Sequence, residues 1–372
     1  MVGTPYGEQL ERKRQRLAAS LASHAELELP AEIPEVIGSA KVFGYRTQAK
    51  LVLRQARRGV LAGVYRPGTH QVVDIRRCAV HHPLINQVVE AACEEIETRN
   101  LAVYDERDGT GSLRYLVVRV SAWQKRAQLI LVSASENLPA AVGRSLQKRV
   151  RGLAGVVLNI NAERGNVILG RRFIAWSGER SLVERVGDFR LNSRAGAFLQ
   201  ANVPVARRLY QHAVSWAALR PDEIAADLYC GVGALTFHLA GGARRVFGVE
   251  EAQPAVLDAK ENATLNGFHN VRFRGAVAAD GLAEARAQVG RIDVIALNPP
   301  RGGADEATRR EIARCASRAI VYVSCEPSTL ARDIAWFTAN GYRLARVQGF
   351  DMFPQTEHVE ALALLESTDG QS

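Results

Sequence analysis

Asp227-Leu228-Tyr229-Cys230-Gly231-Val232-Gly233 is the stretch that decides the fold. Ala225 to Leu228 is a short apolar run of strand type, and a Gly-x-Gly turn follows it almost at once. Glycine accepts the positive φ of a tight turn and lets backbone approach a ligand at the carboxyl end of a strand. Downstream, the pattern predicts four more short strands, at Arg245–Val249, Val271–Phe273, Asp293–Leu297 and Ala319–Val323, with amphipathic helices between them. That alternation is the sequence form of a doubly wound, mostly parallel α/β sheet. A helix near Pro204–Leu219 leads into it.

Upstream the pattern is different. A charged helix over Gln9–Leu21 is closed by the Pro-rich Leu29–Pro34, and strand-like alternation runs from Thr47 to Asp74. Helices follow at Leu84–Glu97 and Ala140–Arg151, with strands at Tyr115–Val120, Ala127–Val132 and Val156–Asn161. At 372 residues the chain exceeds what one core usually supports. Two domains are expected: α+β over residues 1–190 and Rossmann-like α/β over 191–372, the boundary lying between Val186 and Gln200. A polar tail begins at Ser367.

The turn at Gly231 and Gly233 lacks the third glycine of a dinucleotide fingerprint, since Thr236 stands there. The second strand ends at Glu250, placed to accept hydrogen bonds from the two hydroxyls of a ribose, with Glu251 as the local alternative. A turn without a pyrophosphate cradle, followed by a ribose-binding acid, suits S-adenosylmethionine. The fourth strand ends in Leu297-Asn298-Pro299-Pro300-Arg301, where two prolines fix an extended turn and hold Asn298 toward the crevice. The fifth runs into Ser324-Cys325-Glu326-Pro327, and Pro327 suits the first position of a helix. Cys325 then precedes a helix N-terminus, whose partial positive charge is expected to favour the thiolate.

Of the five cysteines, Cys78, Cys93, Cys230, Cys315 and Cys325, no two have the close spacing of a zinc or redox motif. Cys93 and Cys315 read as small core hydrophobes and Cys230 as packing. Net charge is +9, and between Val36 and Val80 nine basic residues, Arg46, Lys50 and Arg54 among them, face one acid, Asp74. Such a run is a solvated face or a phosphate-binding patch. Tyr45 and Tyr65 interleave with it and could stack on bases. No apolar run is long enough for a membrane span and the N-terminus lacks a signal-peptide core, so a cytoplasmic enzyme is expected.

Four segments together carry a resemblance: Asp227–Gly233, Asn298–Arg301, Tyr322–Asp333, and Asp351-Met352-Phe353-Pro354-Gln355-Thr356-Glu357-His358-Val359-Glu360. In order and spacing they resemble the RNA uracil-5-methyltransferase family. Tyr45-Arg46-Thr47, Asp74–Cys78 and Leu113-Arg114-Tyr115 resemble its RNA-binding half. The resemblance implies a class I methyltransferase domain preceded by an RNA-binding domain, and methylation of C5 of a uridine. It makes Cys325 the nucleophile toward C6 and Glu360 the base that removes the C5 proton. Gln200, Tyr229 and Ala234 fall at cofactor-lining positions, beside Gly231, Gly233, Glu250 and Asn298. Arg46, Lys50, Arg114 and Arg301 are the expected RNA contacts. A flipped or single-stranded uridine and a monomeric enzyme are expected too.

The sequence departs from the family pattern at Asn298, where many relatives have Asp, at Glu326, where Asn is usual, and at Gln355, where His is usual. Many relatives hold a [4Fe-4S] cluster on four cysteines. Only Cys78 matches one, so such a cluster is not supported. His81 and His82 read as a satisfied surface pair rather than zinc ligands. Asn298-Pro-Pro-Arg and the Cys78 region look more like the ribosomal branch, making 23S ribosomal RNA the expected substrate and transfer RNA the alternative. Two rivals stand beside this reading. An amino-methyltransferase acting on adenine or cytosine through Asn298-Pro-Pro would need neither Cys325 nor Glu360, and a non-catalytic RNA-binding module would need no cofactor.

Overall fold

The computed structural model describes residues 1–25, 27–29, 32–165 and 167–368. Pro30 and Ala31 of the Pro-rich stretch, and all of the polar tail beyond Thr368, therefore lie outside the described residues. The chain forms two compact units. Unit 1 comprises Met1–Val42, Val186–Leu191 and Phe198–Ser372, and unit 2 comprises Phe43–Arg185 and Asn192–Ala197.

In chain order, α1 (Tyr6–Ala22) is followed by β1 (Gln48–Gln55), β2 (Val60–Tyr65), β3 (Val72–Asp74), α2 (Pro83–Thr98), β4 (Leu113–Ser121), β5 (Arg126–Ser133), α3 (Ala141–Arg149), β6 (Leu153–Ile160) and β7 (Arg172–Gly178). A two-stranded sheet of β8 (Ser181–Val186) and β9 (Phe189–Arg194) comes next. The remainder is α4 (Val203–Ala217), β10 (Ile224–Leu228), α5 (Ala234–Ala240), β11 (Arg245–Glu250), α6 (Gln253–Leu265), β12 (Val271–Gly275), α7 (Ala278–Val289) and β13 (Val294–Leu297). It ends with α8 (Glu306–Arg314), β14 (Ala319–Ser324), α9 (Pro327–Thr338), β15 (Tyr342–Phe350) and β16 (Glu360–Ser367).

Unit 2 holds a seven-stranded sheet in the order β3-β2-β1-β4-β5-β6-β7, antiparallel except where β5 and β6 run parallel. That one parallel pair needs a crossover, and α3 supplies it. The core includes Leu51, Ile85, Val88, Leu116 and Leu129. Here α2 begins with Pro83 at its first turn, and His82 caps it by accepting from the Leu84 N–H at 3.2 Å.

Unit 1 holds the second seven-stranded sheet, β12-β11-β10-β13-β14-β16-β15. All five predicted parallel strands are present. Ile295 and Leu297 of β13 and Ile320 and Tyr322 of β14 are fully buried, as strands covered on both faces require. The sequence reading did not assign β15 and β16, which close the sheet, β16 antiparallel to β14 and β15 antiparallel to β16.

The units differ from a division at 190/191: residues 186–190 fall in unit 1, residues 192–197 in unit 2, and the larger difference is at the N-terminus. Residues 1–42 belong to unit 1, where Leu17 and Leu21 of α1 are fully buried in the core with Phe247, Tyr322 and Phe337. Within α1, Lys13 is also buried. Its Nζ donates to Asp351 Oδ1 at 2.5 Å and to the Phe353 carbonyl at 3.0 Å, while Tyr6 Oη donates to Asp351 Oδ2 at 2.8 Å. A charged helix with a polar buried stripe gives no local sign of such a partner, which lies near the other end of the chain.

Candidate active site

The glycine-rich turn folds as its residues require. Tyr229, Gly231 and Gly233 have φ of 61°, 54° and 93°. A Cβ built on Gly233 would lie 2.7 Å from Phe237, whereas one on Gly231 meets nothing within 4 Å, so the backbone there borders open space. The Gly231 N–H donates to Glu250 Oε2 at 3.0 Å, and the Ala252 N–H donates to Oε1 at 2.9 Å. The carboxylate is thereby oriented with lone pairs to spare, as a ribose-binding acceptor would be. Its neighbour Glu251 is exposed and Glu250 is partly covered. Tyr229 and Ala234 are half-buried beside the turn. Gln200 is buried and bonds the buried Tyr210. These residues suit an adenosyl ligand, with open backbone at Gly231 and a preorganised acid one strand away.

Beneath the turn lies a group that sequence reasoning missed. Asp227 is buried on β10, and burial raises its carboxyl to about 7 although Thr236 Oγ1 donates to it at 2.6 Å. Thr236 thus replaces the third glycine of a dinucleotide motif with a hydroxyl that the buried acid needs.

Asn298 follows β13, partly covered, with its N–H on the Leu228 carbonyl at 3.3 Å. The loop after it is tied to α9 by Asp333, which is fully buried. Its Oδ2 accepts from Tyr322 Oη at 2.6 Å and the Ala304 N–H at 2.8 Å, and its Oδ1 accepts from Arg309 at 2.6 Å. Arg301, exposed in the same loop, is near enough to Cys325 to favour its ionised form.

Sheet register brings Cys325 and Glu360 together. Ser324 at the end of β14 pairs with Ala361 of β16, so the next residue, Cys325, falls opposite Glu360. On the other side Glu360 pairs with Phe350 of β15. Glu360 is buried, and that burial alone raises its carboxyl to about 7, whereas Glu357 is exposed. A carboxyl poised near neutrality is suited to exchanging protons with a substrate.

Helix α9 does begin at Pro327, but the Cys325 thiol is raised above its ordinary pKa rather than lowered. Burial is the main cause and the Glu360 charge adds to it, with Arg301 opposing. The other cysteines follow their reading: burial pushes Cys93 and Cys315 up to about 12, and Cys230 well above its ordinary value.

In unit 2, Arg46 is half-buried, bonding the Gln48 carbonyl at 2.9 Å, and Lys50 is exposed on β1. Arg114 is buried, with Nη1 on the Asn161 and Glu163 carbonyls, both at 2.7 Å. Of the two tyrosines that could stack on bases, Tyr45 is 5% exposed and offers no ring face, while Tyr65 lines a cleft. His81 is buried rather than at the surface, where burial lowers it to about 4. Among the described residues, no three His, Cys, Asp or Glu side chains gather as a metal site, and no helix is long and apolar enough to cross a membrane.

Comparison with known proteins accords with this geometry. The model of the tRNA (Uracil-5-)-methyltransferase family matches residues 143–368, more than half of the chain. The chain belongs to that family. An uncharacterised RNA methyltransferase of Geobacter sulfurreducens is 40% identical over 97% of this chain and 73% of its own length. Another, from Caldanaerobacter subterraneus, is 34% identical over 97% of this chain and 80% of its own. Among solved structures, the Pyrococcus abyssi tRNA (uracil-54, C5)-methyltransferase in complex with S-adenosyl-L-homocysteine superposes with a TM-score of 0.77 at 28% identity, covering 97% of this chain and 83% of that one. The C-terminal half is accordingly a class I methyltransferase fold, and the protein is an S-adenosylmethionine-dependent RNA methyltransferase.

Proposed function

We propose that this enzyme methylates C5 of a uridine in RNA through a covalent adduct between Cys325 and C6. The observation carrying this is the pairing of a cysteine with a buried carboxyl by the Ser324–Ala361 register, at the mouth of a sheet suited to an adenosyl ligand. C5 of uracil is too weak a nucleophile by itself. The Cys325 thiolate adds to C6, and the electron pair of the C5–C6 double bond moves toward O4 as an enolate. Glu250, Gln200 and the backbone at Gly231 would hold S-adenosylmethionine, which would supply the methyl that C5 takes and leave as S-adenosylhomocysteine. Glu360 then removes the proton left on C5, the C6–S bond breaks, and the double bond returns. Because Glu360 is raised to about 7, it is partly ionised at neutral pH and ready to accept that proton. Arg301 favours the thiolate beforehand. The target base must leave its stack to reach both groups.

Ribosomal RNA is the substrate we favour, from the Asn298-Pro-Pro-Arg sequence and the Cys78 region. Transfer RNA is the second reading, supported by the Pyrococcus abyssi enzyme named for uracil 54 of tRNA. The test uses ribosomal and transfer RNA from a modification-deficient strain, labelled with tritium at C5 of uridine. Tritium should leave one RNA class at a single mapped site. Cys325→Ala should release none, and Glu360→Gln should accumulate a denaturant-resistant protein–RNA adduct. Release that persists in Cys325→Ala, or methyl appearing on an exocyclic amine, would overturn the mechanism.

A further inference from the structure

Unit 2 contains an open cleft of about 520 Å³ walled by β1, β2, β4 and the loops around His70, Glu106 and Arg164. We propose that this cleft binds one unstacked nucleotide of the substrate RNA, as a recognition point additional to the uridine that reacts. The inference rests on the chain acting on RNA and assigns the cleft a ligand class.

Three aromatic rings, Tyr65, Tyr104 and Tyr115, line the cleft. Arg114 fixes two of them, its guanidinium carbon lying 5.1 Å from the Tyr104 ring centre and 5.8 Å from that of Tyr115. With its Nη1 committed to two backbone carbonyls, Arg114 is a rigid part of the wall rather than a mobile phosphate clamp. Half-buried tyrosines around open space offer stacking surface without having to move, and a volume of this size is that of a small-ligand site.

The charges narrow the ligand. Arg54, Arg114 and Arg164 line the cleft, and one carboxylate, Glu106, lies among them. Glu106 is held in place: Arg54 donates to its Oε1 at 2.5 Å, His70 Nδ1 lies 3.1 Å from the same oxygen, and Tyr65 Oη donates to Oε2 at 3.3 Å. A carboxylate only accepts hydrogen bonds, so Glu106 offers a bare phosphate no contact. A nucleotide satisfies both ends, with its phosphate toward the exposed Arg164 and a donor edge of its base toward Glu106. Every residue of the cleft belongs to unit 2, whereas Cys325 and Glu360 belong to unit 1, so binding and chemistry are separable by mutation.

The experiment measures binding of a fluorescein-labelled ten-nucleotide RNA of random sequence to the full chain carrying Cys325→Ala, so that no reaction intervenes. Adding Tyr104→Ala should raise Kd by about 5- to 150-fold, the worth of one base–aromatic stack, and Tyr104→Phe should leave it near the parent value. Arg164→Ala, a change at an exposed residue, should weaken binding and reduce the slope of log K against log salt by about one. It decides the matter should Tyr104→Ala fail to fold. Ultraviolet crosslinking should attach a nucleotide to the peptide carrying Tyr104 or Tyr115. Unchanged Kd in folded Tyr104→Ala and Arg164→Ala, or crosslinks only on other peptides, would overturn the proposal. Because the readouts are binding and crosslinking, failure of tritium release in the enzyme with Cys325 intact would instead count against the methylation mechanism.

Discussion

Replacing Glu360 by Gln should make the protein more stable in alkaline solution while abolishing turnover. Burial raises this carboxyl from 4.5 to about 7. Between those values the unfolded chain has released the proton and the folded one still holds it. The folded state therefore binds more protons, and its stability falls as pH rises from the lower value to the higher. Each pH unit in the window is worth about 1.4 kcal/mol, so the full loss approaches about 3 kcal/mol above pH 7. By pH 5.5 about 1.4 kcal/mol of it has gone, leaving about 2 kcal/mol between pH 5.5 and pH 8. Glutamine has the shape of the protonated acid and does not titrate, so the variant escapes this loss. Urea denaturation of both proteins at the two pH values is the assay. The advantage of Glu360→Gln over wild type should grow by about 2 kcal/mol from pH 5.5 to pH 8. Asp227 also titrates near 7, but it is common to both proteins and cancels. An advantage that does not change with pH would refute the idea that burial holds this carboxyl near neutrality.

The same substitution removes the charge that helps keep the Cys325 thiol protonated, so iodoacetamide should alkylate Cys325 faster at pH 7.5 in Glu360→Gln, and slower in Arg301→Gln, as read by mass spectrometry of its peptide. Lys13→Met leaves Asp351 buried with only part of its compensation and should destabilise the protein by about 3–5 kcal/mol; Lys13→Met/Asp351→Leu should recover most of that in urea denaturation. Gly233→Ala combines a φ of 93° with a 2.7 Å approach to Phe237 and should destabilise by about 1–3 kcal/mol, whereas Gly231→Ala, facing open space, should chiefly raise KM for S-adenosylmethionine.

The parallel half of the catalytic sheet was legible because strands buried on both faces read as unbroken apolar runs set off by turn residues. The place of Glu250 at the end of β11 was legible for a related reason, since the end of the second strand in such a sheet is a fixed place. The antiparallel pair β15 and β16 broke that rhythm, being joined by the loop Asp351–Val359 rather than by a helix. The error over Cys325 has the same root. A helix N-terminus is visible from nearby sequence, but the opposing Glu360 and the depth of burial come from strand pairing that no local window contains. Tyr45 failed likewise: interleaving with arginines said nothing of which way the ring faces.

The burial of α1 against residues near the far end of the chain has a consequence in time. Synthesis delivers α1 first, yet the carboxylate that neutralises Lys13 and the strands β15 and β16 are made last. The nascent helix must carry an unsheltered apolar stripe, Leu17 and Leu21, while the intervening residues are translated. Unit 2, drawn largely from the single run Phe43–Arg185, meets no such delay. On ribosomes stalled at successive lengths, protease should therefore cut after Lys13 until β16 has emerged, and protection gained before Asp351 is made would contradict this order. Until β16 is made, Cys325 therefore stands without Glu360 opposite it.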